Sequence, residues 1–191
     1  YKEDTDCRLI GEIYAAYGGG TEINMILIAA VNNSWGIGMG NELLYHIPAD
    51  MKFFREKTKG NIIIVGRKTL ESFPNGEPLK FRENIVLTKN PSYKKEGVTV
   101  LHSTEEVLEY AKKHTDKEIY LCGGAQIYSL LLPYCEKALI TKIDDCKPAD
   151  KFLPNLDESD EWILTEQSEK ISDAGFSFRF LTYVNSHPNS I

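Results

Sequence analysis

Asn61-Ile62-Ile63-Ile64-Val65-Gly66-Arg67-Lys68-Thr69 decides the fold of this 191-residue chain. Four consecutive β-branched residues read as a strand buried on both faces, and the glycine after them opens straight into a helix read over 67–73. The same grammar recurs at Cys122-Gly123-Gly124-Ala125-Gln126-Ile127-Tyr128, where an apolar strand again passes through glycine into a helix. Working outward, strands are expected at 25–32, 61–65, 83–88, 97–101, 118–122, 137–143, 161–168 and 175–184. Helices are expected at 48–58, 67–73, 103–113 and 124–132. Short apolar strands separated by helices imply an α/β fold: a central, mostly parallel sheet of about eight strands with about four flanking helices. The last two strands have no helix between them, which predicts an antiparallel C-terminal edge hairpin.

Composition narrows the functional class. Hydrophobic residues make up 42% and charged residues 26%, the profile of an ordinary globular domain. A net charge of −6 with no clustered Lys/Arg face disfavours nucleic acid as a partner. Cys7, Cys122, Cys135 and Cys146 form no CxxC pair and have no histidine at ligand spacing, so neither a disulfide framework nor a metal site is expected. No apolar run reaches membrane-spanning length and no signal peptide is visible, so a cytoplasmic monomer is the expectation.

Half of the net charge lies in the first 24 residues, where Glu3, Asp4, Asp6, Glu12 and Glu22 face only Lys2 and Arg8. Tyr1 rather than Met opens the sequence, so a processed or partial chain is expected. Leu9, Ile10, Ile13, Tyr14 and Tyr17 share one helical face, with Asp6 available as a cap and Gly18-Gly19-Gly20 as a terminator. A disordered leader is the alternative. Residues 1–24 are thus read as an extension of unknown role, and 25–191 as the catalytic domain.

Four segments carry chemistry. Gly36-Ile37-Gly38-Met39-Gly40 invites a dinucleotide fingerprint, but that motif needs a helix to start at once, and Pro48 disfavours helix just before it. A glycine-rich lid is expected there instead. In Pro48-Ala49-Asp50-Met51-Lys52-Phe53-Phe54, Pro48 suits the first helical position and Asp50 falls in the first turn, on the same face as Phe54. An acid in a first turn is by itself ordinary capping. Beside an aromatic and under a lid, it is also the group that pairs with an amidine-like heterocycle. Gly66-Arg67-Lys68-Thr69 and Gly123-Gly124 each offer helix-start amides to phosphate, against the plain reading of a close-packed strand–helix turn. Two such turns in one sheet suggest an extended dinucleotide across the strands' carboxyl ends.

These segments, with Ile28-Ala29-Ala30, Thr141-Lys142-Ile143-Asp144 and Asp150-Lys151-Phe152-Leu153-Pro154, resemble bacterial dihydrofolate reductase in order over residues 25–184. The resemblance implies NADPH-dependent reduction of dihydrofolate, with hydride passing from nicotinamide C4 to pterin C6. It implies that Asp50 binds the pterin and promotes protonation at N5, supported by the Thr141 hydroxyl. Ile28, Ala30, Met51, Phe54, Cys122 and Tyr128 would surround the pterin, and Arg82 would hold the glutamate-tail carboxylate. Arg67, Lys68, Thr69, Leu87, Thr88 and Lys89 would take the 2′-phosphate side of NADPH. Gly66 and Gly123-Gly124-Ala125-Gln126-Ile127 would meet the pyrophosphate, with a cis peptide between the two glycines. Ala30, Ile37, Gly38, Met39 and Tyr128 would lie near the nicotinamide.

Three departures from the family pattern stand out. Leu44-Tyr45 replaces a Pro-Trp pair ahead of the pterin helix, Glu77 stands where a base often assists the folate tail, and Cys122 replaces an aliphatic residue. The rival readings are a pyrimidine reductase of riboflavin synthesis, which should lack both Asp50 and Thr141, and a silent module that binds folate and NADPH without turnover.

Overall fold

The computed structural model describes residues 23–190. The leader helix expected ahead of Ile23 therefore lies outside the described residues.

Strand β1 (Met25–Val31) begins the main sheet and sits near its middle. Its odd and even residues serve different layers. Met25 and Leu27 join one buried cluster, Ile26 and Ile28 the other, as the two-residue period of a strand covered on both faces requires. Next come β2 (Gly36–Met39), β3 (Glu42–Leu43) and helix α1 (Pro48–Thr58). They are followed by β4 (Ile62–Gly66), α2 (Arg67–Glu71), β5 (Glu83–Leu87), β6 (Thr99–Leu101) and α3 (Thr104–Lys112). The remaining elements are β7 (Ile119–Leu121), α4 (Ala125–Leu131), β8 (Lys137–Ile143), β9 (Lys151–Phe152), β10 (Trp162–Gln167), β11 (Ile171–Asp173) and β12 (Phe176–Asn185).

The main sheet runs β10-β12-β8-β1-β7-β4-β5-β6, with β11 pairing only β12. Strands β8, β1, β7, β4, β5 and β6 are parallel; β12 is antiparallel to β8, and β10 to β12. The chain leaves β1, skips a place to β4, moves outward to β6, and returns with β7 to fill the gap. Strand order thus reverses at β1-β7-β4, and the carboxyl ends of those three strands are where an open α/β sheet forms its crevice.

The four expected helices are all present, and α1 begins at Pro48 as read from the sequence. Two features differ from the sequence reading. The last two long strands form the expected antiparallel pair at the sheet edge, β10 outermost and β12 between it and β8, but short β11 makes a further hairpin on β12 within the stretch read as a connection. The glycine-rich lid is also partly strand: β2 pairs with β3 and with β9 in a separate three-stranded ribbon. Gly40, at φ +62°, opens the two-residue turn between β2 and β3.

Candidate active site

Asp50 stands in the first turn of α1. Its Oδ1 accepts a 2.6 Å hydrogen bond from Thr141 Oγ1 on β8. Thr141 is itself paired with Ala30 of β1, so the hydroxyl is held opposite the end of the central strand. Burial raises the Asp50 pKa above the ordinary carboxylate value, and the Thr141 hydrogen bond opposes that rise. The result is a desolvated carboxylate with one fixed donor, in a position to interact with a cationic or amidine-like group.

An apolar cluster borders the helix that carries this acid, and Phe53 and Phe54 of α1 pack on it. Ile28 is buried, and Phe54 and Cys122 pack against the cluster that contains it. Tyr128 is also buried and donates to the Ile28 carbonyl at 2.9 Å, tying α4 to the end of β1. Burial pushes the Tyr128 hydroxyl and the Cys122 thiol well up, so both stay protonated at neutral pH. Met51, which follows Asp50 on the helix, is 55% exposed.

Arg82 lies beyond α1. Its Nε donates to Thr58 Oγ1 at 2.8 Å, and its Nη1 and Nη2 donate to the carbonyls of Lys80 and Arg55. Three bonds to fixed acceptors orient the guanidinium as a rigid fork. Glu77 is engaged with Lys95 at 2.9 Å.

The two glycine turns meet at the switch point. Gly66 N donates to Gly123 O at 2.8 Å, which joins the turn after β4 to the turn after β7. The Gly123–Gly124 peptide is cis. A Cβ added at Gly124 would lie 3.3 Å from Thr69 Oγ1, and one added at Gly66 would lie 3.3 Å from Ile127 Cγ1. Both glycines therefore sit where a side chain would press on a neighbour, which lets the turns after β4 and β7 approach each other and pack closely against α2 and α4. Ala125, Gln126 and Ile127 follow in the first turns of α4.

Leu87 ends β5, and Thr88 and the exposed Lys89 follow it. Arg67 forms a two-pronged pair with Glu71, at 2.9 and 3.0 Å, and Lys68 is exposed. A surface i,i+4 pair is worth only about 0.3–0.5 kcal/mol, against about 1.5–3 kcal/mol for a hydrogen bond to a charged group. Glu71 thus costs Arg67 little if a phosphate competes. His102, which the sequence reading did not single out, has its Nδ1 2.8 Å from the Thr88 carbonyl next to Lys89. A lone histidine after a three-residue strand gives no spacing signal.

The ribbon closes the remaining side. Asp150 accepts from Gly40 N at 3.0 Å through Oδ1, while its own amide donates to Gly38 O. In β2, Ile37 packs against the main buried cluster, Gly38 is buried and Met39 is 46% exposed. The replaced Pro-Trp pair has its own fixings: the Tyr45 hydroxyl donates to Asp145 Oδ2 at 2.6 Å, and Lys147 Nζ donates to the Leu44 carbonyl. Among the described residues no group of histidine, cysteine and acidic side chains is arranged to hold a metal. Likewise, no described helix is long and apolar enough to cross a membrane.

Known proteins resemble this chain over most of its length. The profile of the dihydrofolate reductase family matches residues 24–185. The chain is 38% identical over 148 residues to a dihydrofolate reductase of Bacillus subtilis, covering 77% of this chain and 86% of that one. It is 36% identical over 163 residues to the Neisseria meningitidis enzyme, covering 85% and 98%. Among solved structures, the Enterococcus faecalis dihydrofolate reductase complexed with NADP(H) superposes with a TM-score of 0.77 at 35% identity, covering 85% of this chain and 96% of that one. The chain belongs to the dihydrofolate reductase family.

Proposed function

We infer that the chain reduces 7,8-dihydrofolate to tetrahydrofolate with NADPH. The observation that carries this reading is the Asp50–Thr141 pair: a part-buried carboxylate with a raised pKa, held at 2.6 Å by a hydroxyl, on a helix that borders an apolar cluster. NADPH supplies the hydride. Asp50 binds the pterin's amidine edge and stabilises the cationic pterin formed when N5 is protonated, an interaction stronger in the transition state than in the ground state. Ile28, Phe54, Cys122 and Tyr128 exclude water around it, which strengthens that charge interaction. Arg82 takes the tail carboxylate. Gly66, Gly123 and Gly124 offer backbone to the pyrophosphate, and Arg67, Lys68, Thr69, Thr88 and Lys89 take the 2′-phosphate end.

The same reading makes residues 25–191 the catalytic domain of a cytoplasmic monomer and residues 1–24 an extension. The Asp50–Thr141 pair disfavours a pyrimidine reductase. Loss of NADPH absorbance on adding dihydrofolate tests the proposal directly, and a chain that binds both ligands without turnover refutes it.

A further inference from the structure

The helix that carries Asp50 is capped by a residue far away in sequence. Pro48, at the first helical position, has no N–H, and Ile47 before it provides no side-chain cap. The amide of Ala49 is therefore the first donor of the helix that has no partner within it. It donates to Asp173 Oδ2 at 2.8 Å, across 124 residues of sequence. Asp173 is the last residue of β11, paired with Phe176 across a two-residue turn. That turn, Ala174-Gly175, has both residues in the left-handed region, at φ +50° and +81°. Tight hairpins of this kind hold the residue just before the turn in a fixed place.

The hairpin also seats the segment leading into the helix. Phe176 packs edge-on against Tyr45 at 5.1 Å between ring centres. Leu44, Tyr45 and Ile47 form a separate small core with Ile143 and Phe178, against which Ala49, Ile171 and Phe176 pack. From this arrangement we propose that Asp173 is a positioning residue for Asp50. By holding the Ala49 amide, it fixes the first turn of α1 and so the distance and angle at which the Asp50 carboxylate meets the pterin. Asp173 thus acts on Asp50 through the Ala49 amide, not through a hydrogen bond of its own to the reacting groups.

This inference rests on the reaction proposed above, and the test separates the two. Asp173→Ala removes the acceptor, and Asp173→Asn keeps one acceptor oxygen, both in the full chain. With Asp173→Ala, kcat for dihydrofolate should fall about tenfold, because small displacements of a reacting group cost rate steeply. KM for dihydrofolate and the Kd for NADPH should stay within about twofold, since Arg82 and the glycine turns lie elsewhere. Asp173→Asn should recover most of kcat. Exchange of the Ala49 amide, followed without substrate, should speed up in Asp173→Ala and return toward the original rate in Asp173→Asn. Unchanged kcat in Asp173→Ala overturns the proposal, as does a loss that Asp173→Asn fails to rescue or one that falls equally on NADPH binding. An original chain inactive toward dihydrofolate would instead refute the proposed reaction, and the exchange measurement would still show whether Asp173 fixes the turn.

Discussion

Thr141 Oγ1 and Asp50 Oδ1 lie 2.6 Å apart although ninety-one residues separate them in sequence. The hydroxyl is the one side-chain hydrogen bond that lowers the Asp50 pKa, against burial that raises it. Removing it with the near-isosteric Thr141→Val should leave a less supported acid. The rate–pH profile with dihydrofolate should move to higher pH, and kcat at neutral pH should fall by roughly tenfold, the scale of one lost hydrogen bond to a charged group. A profile that stays in place would mean the hydroxyl does not tune the acid.

Asp50→Asn keeps the shape of the side chain and removes its charge. Turnover of dihydrofolate should drop on the order of 10²-fold or more, the contribution of a positioned acid–base group. Lowering the pH should recover part of the loss, because solution then supplies protonated substrate. NADPH affinity, measured by titration of the free enzyme, should barely change. Near-normal turnover of this variant at neutral pH would refute the mechanism.

The same substitution should make the protein more stable. Because burial raises the folded-state pKa of Asp50, the folded chain binds that proton more tightly than the unfolded chain does. Keeping the group ionised therefore costs stability. The cost is absent below the unfolded carboxylate range, near pH 4. It grows as pH rises toward the folded pKa and is constant above it. Melting curves of Asp50→Asn and the original chain should coincide in acid and separate toward neutral pH, with each kcal/mol recovered raising Tm by about 2–4 °C. A variant less stable at neutral pH would contradict this sign.

Cofactor preference should favour NADPH strongly over NADH. Arg67→Ala and Lys89→Ala should each weaken NADPH binding by about ten- to one-hundred-fold, at roughly 1.5–3 kcal/mol per charge-assisted contact, and leave NADH nearly untouched. Equal losses for both cofactors would move the 2′-phosphate away from these residues.

The extension should be dispensable, but the cut must respect the sheet. Ile23 is buried, and the Asn24 carbonyl accepts from Ile119 N at 2.9 Å. A chain starting at Ile23 should retain full dihydrofolate turnover and its original Tm to within a few degrees, since every segment read as part of the site lies after that point. Loss of turnover in a folded truncation would place part of the site in the extension.

Much of this molecule was legible in sequence where one residue type forces a local outcome. Pro48 fixed the start of α1, and glycine between an apolar run and a helix marked both backbone turns at Gly66 and Gly123-Gly124. That the two turns touch, through Gly66 N and Gly123 O, depends on β7 filling the gap between β1 and β4, and no local pattern encodes that choice. Strands β2, β3, β9 and β11 span two to four residues each, too few for an alternation to declare itself. The family resemblance, not periodicity, named Thr141 as the partner of Asp50. Asp173 had no signal at all, because a cap is ordinarily sought just before the helix and this one arrives from a hairpin near the other end of the chain.

Strand β8 has a parallel neighbour on one side and an antiparallel one on the other, so Thr141 is paired with Ala30 and with Phe180 at once. Its backbone can exchange hydrogen with solvent only when the centre of the sheet opens, an event that approaches global unfolding. Asp50 rides instead on a helix held at its start by a hairpin tip. The two partners of one 2.6 Å bond therefore belong to layers of different local stability, and partial denaturation should silence the enzyme while most of its sheet remains protected from exchange.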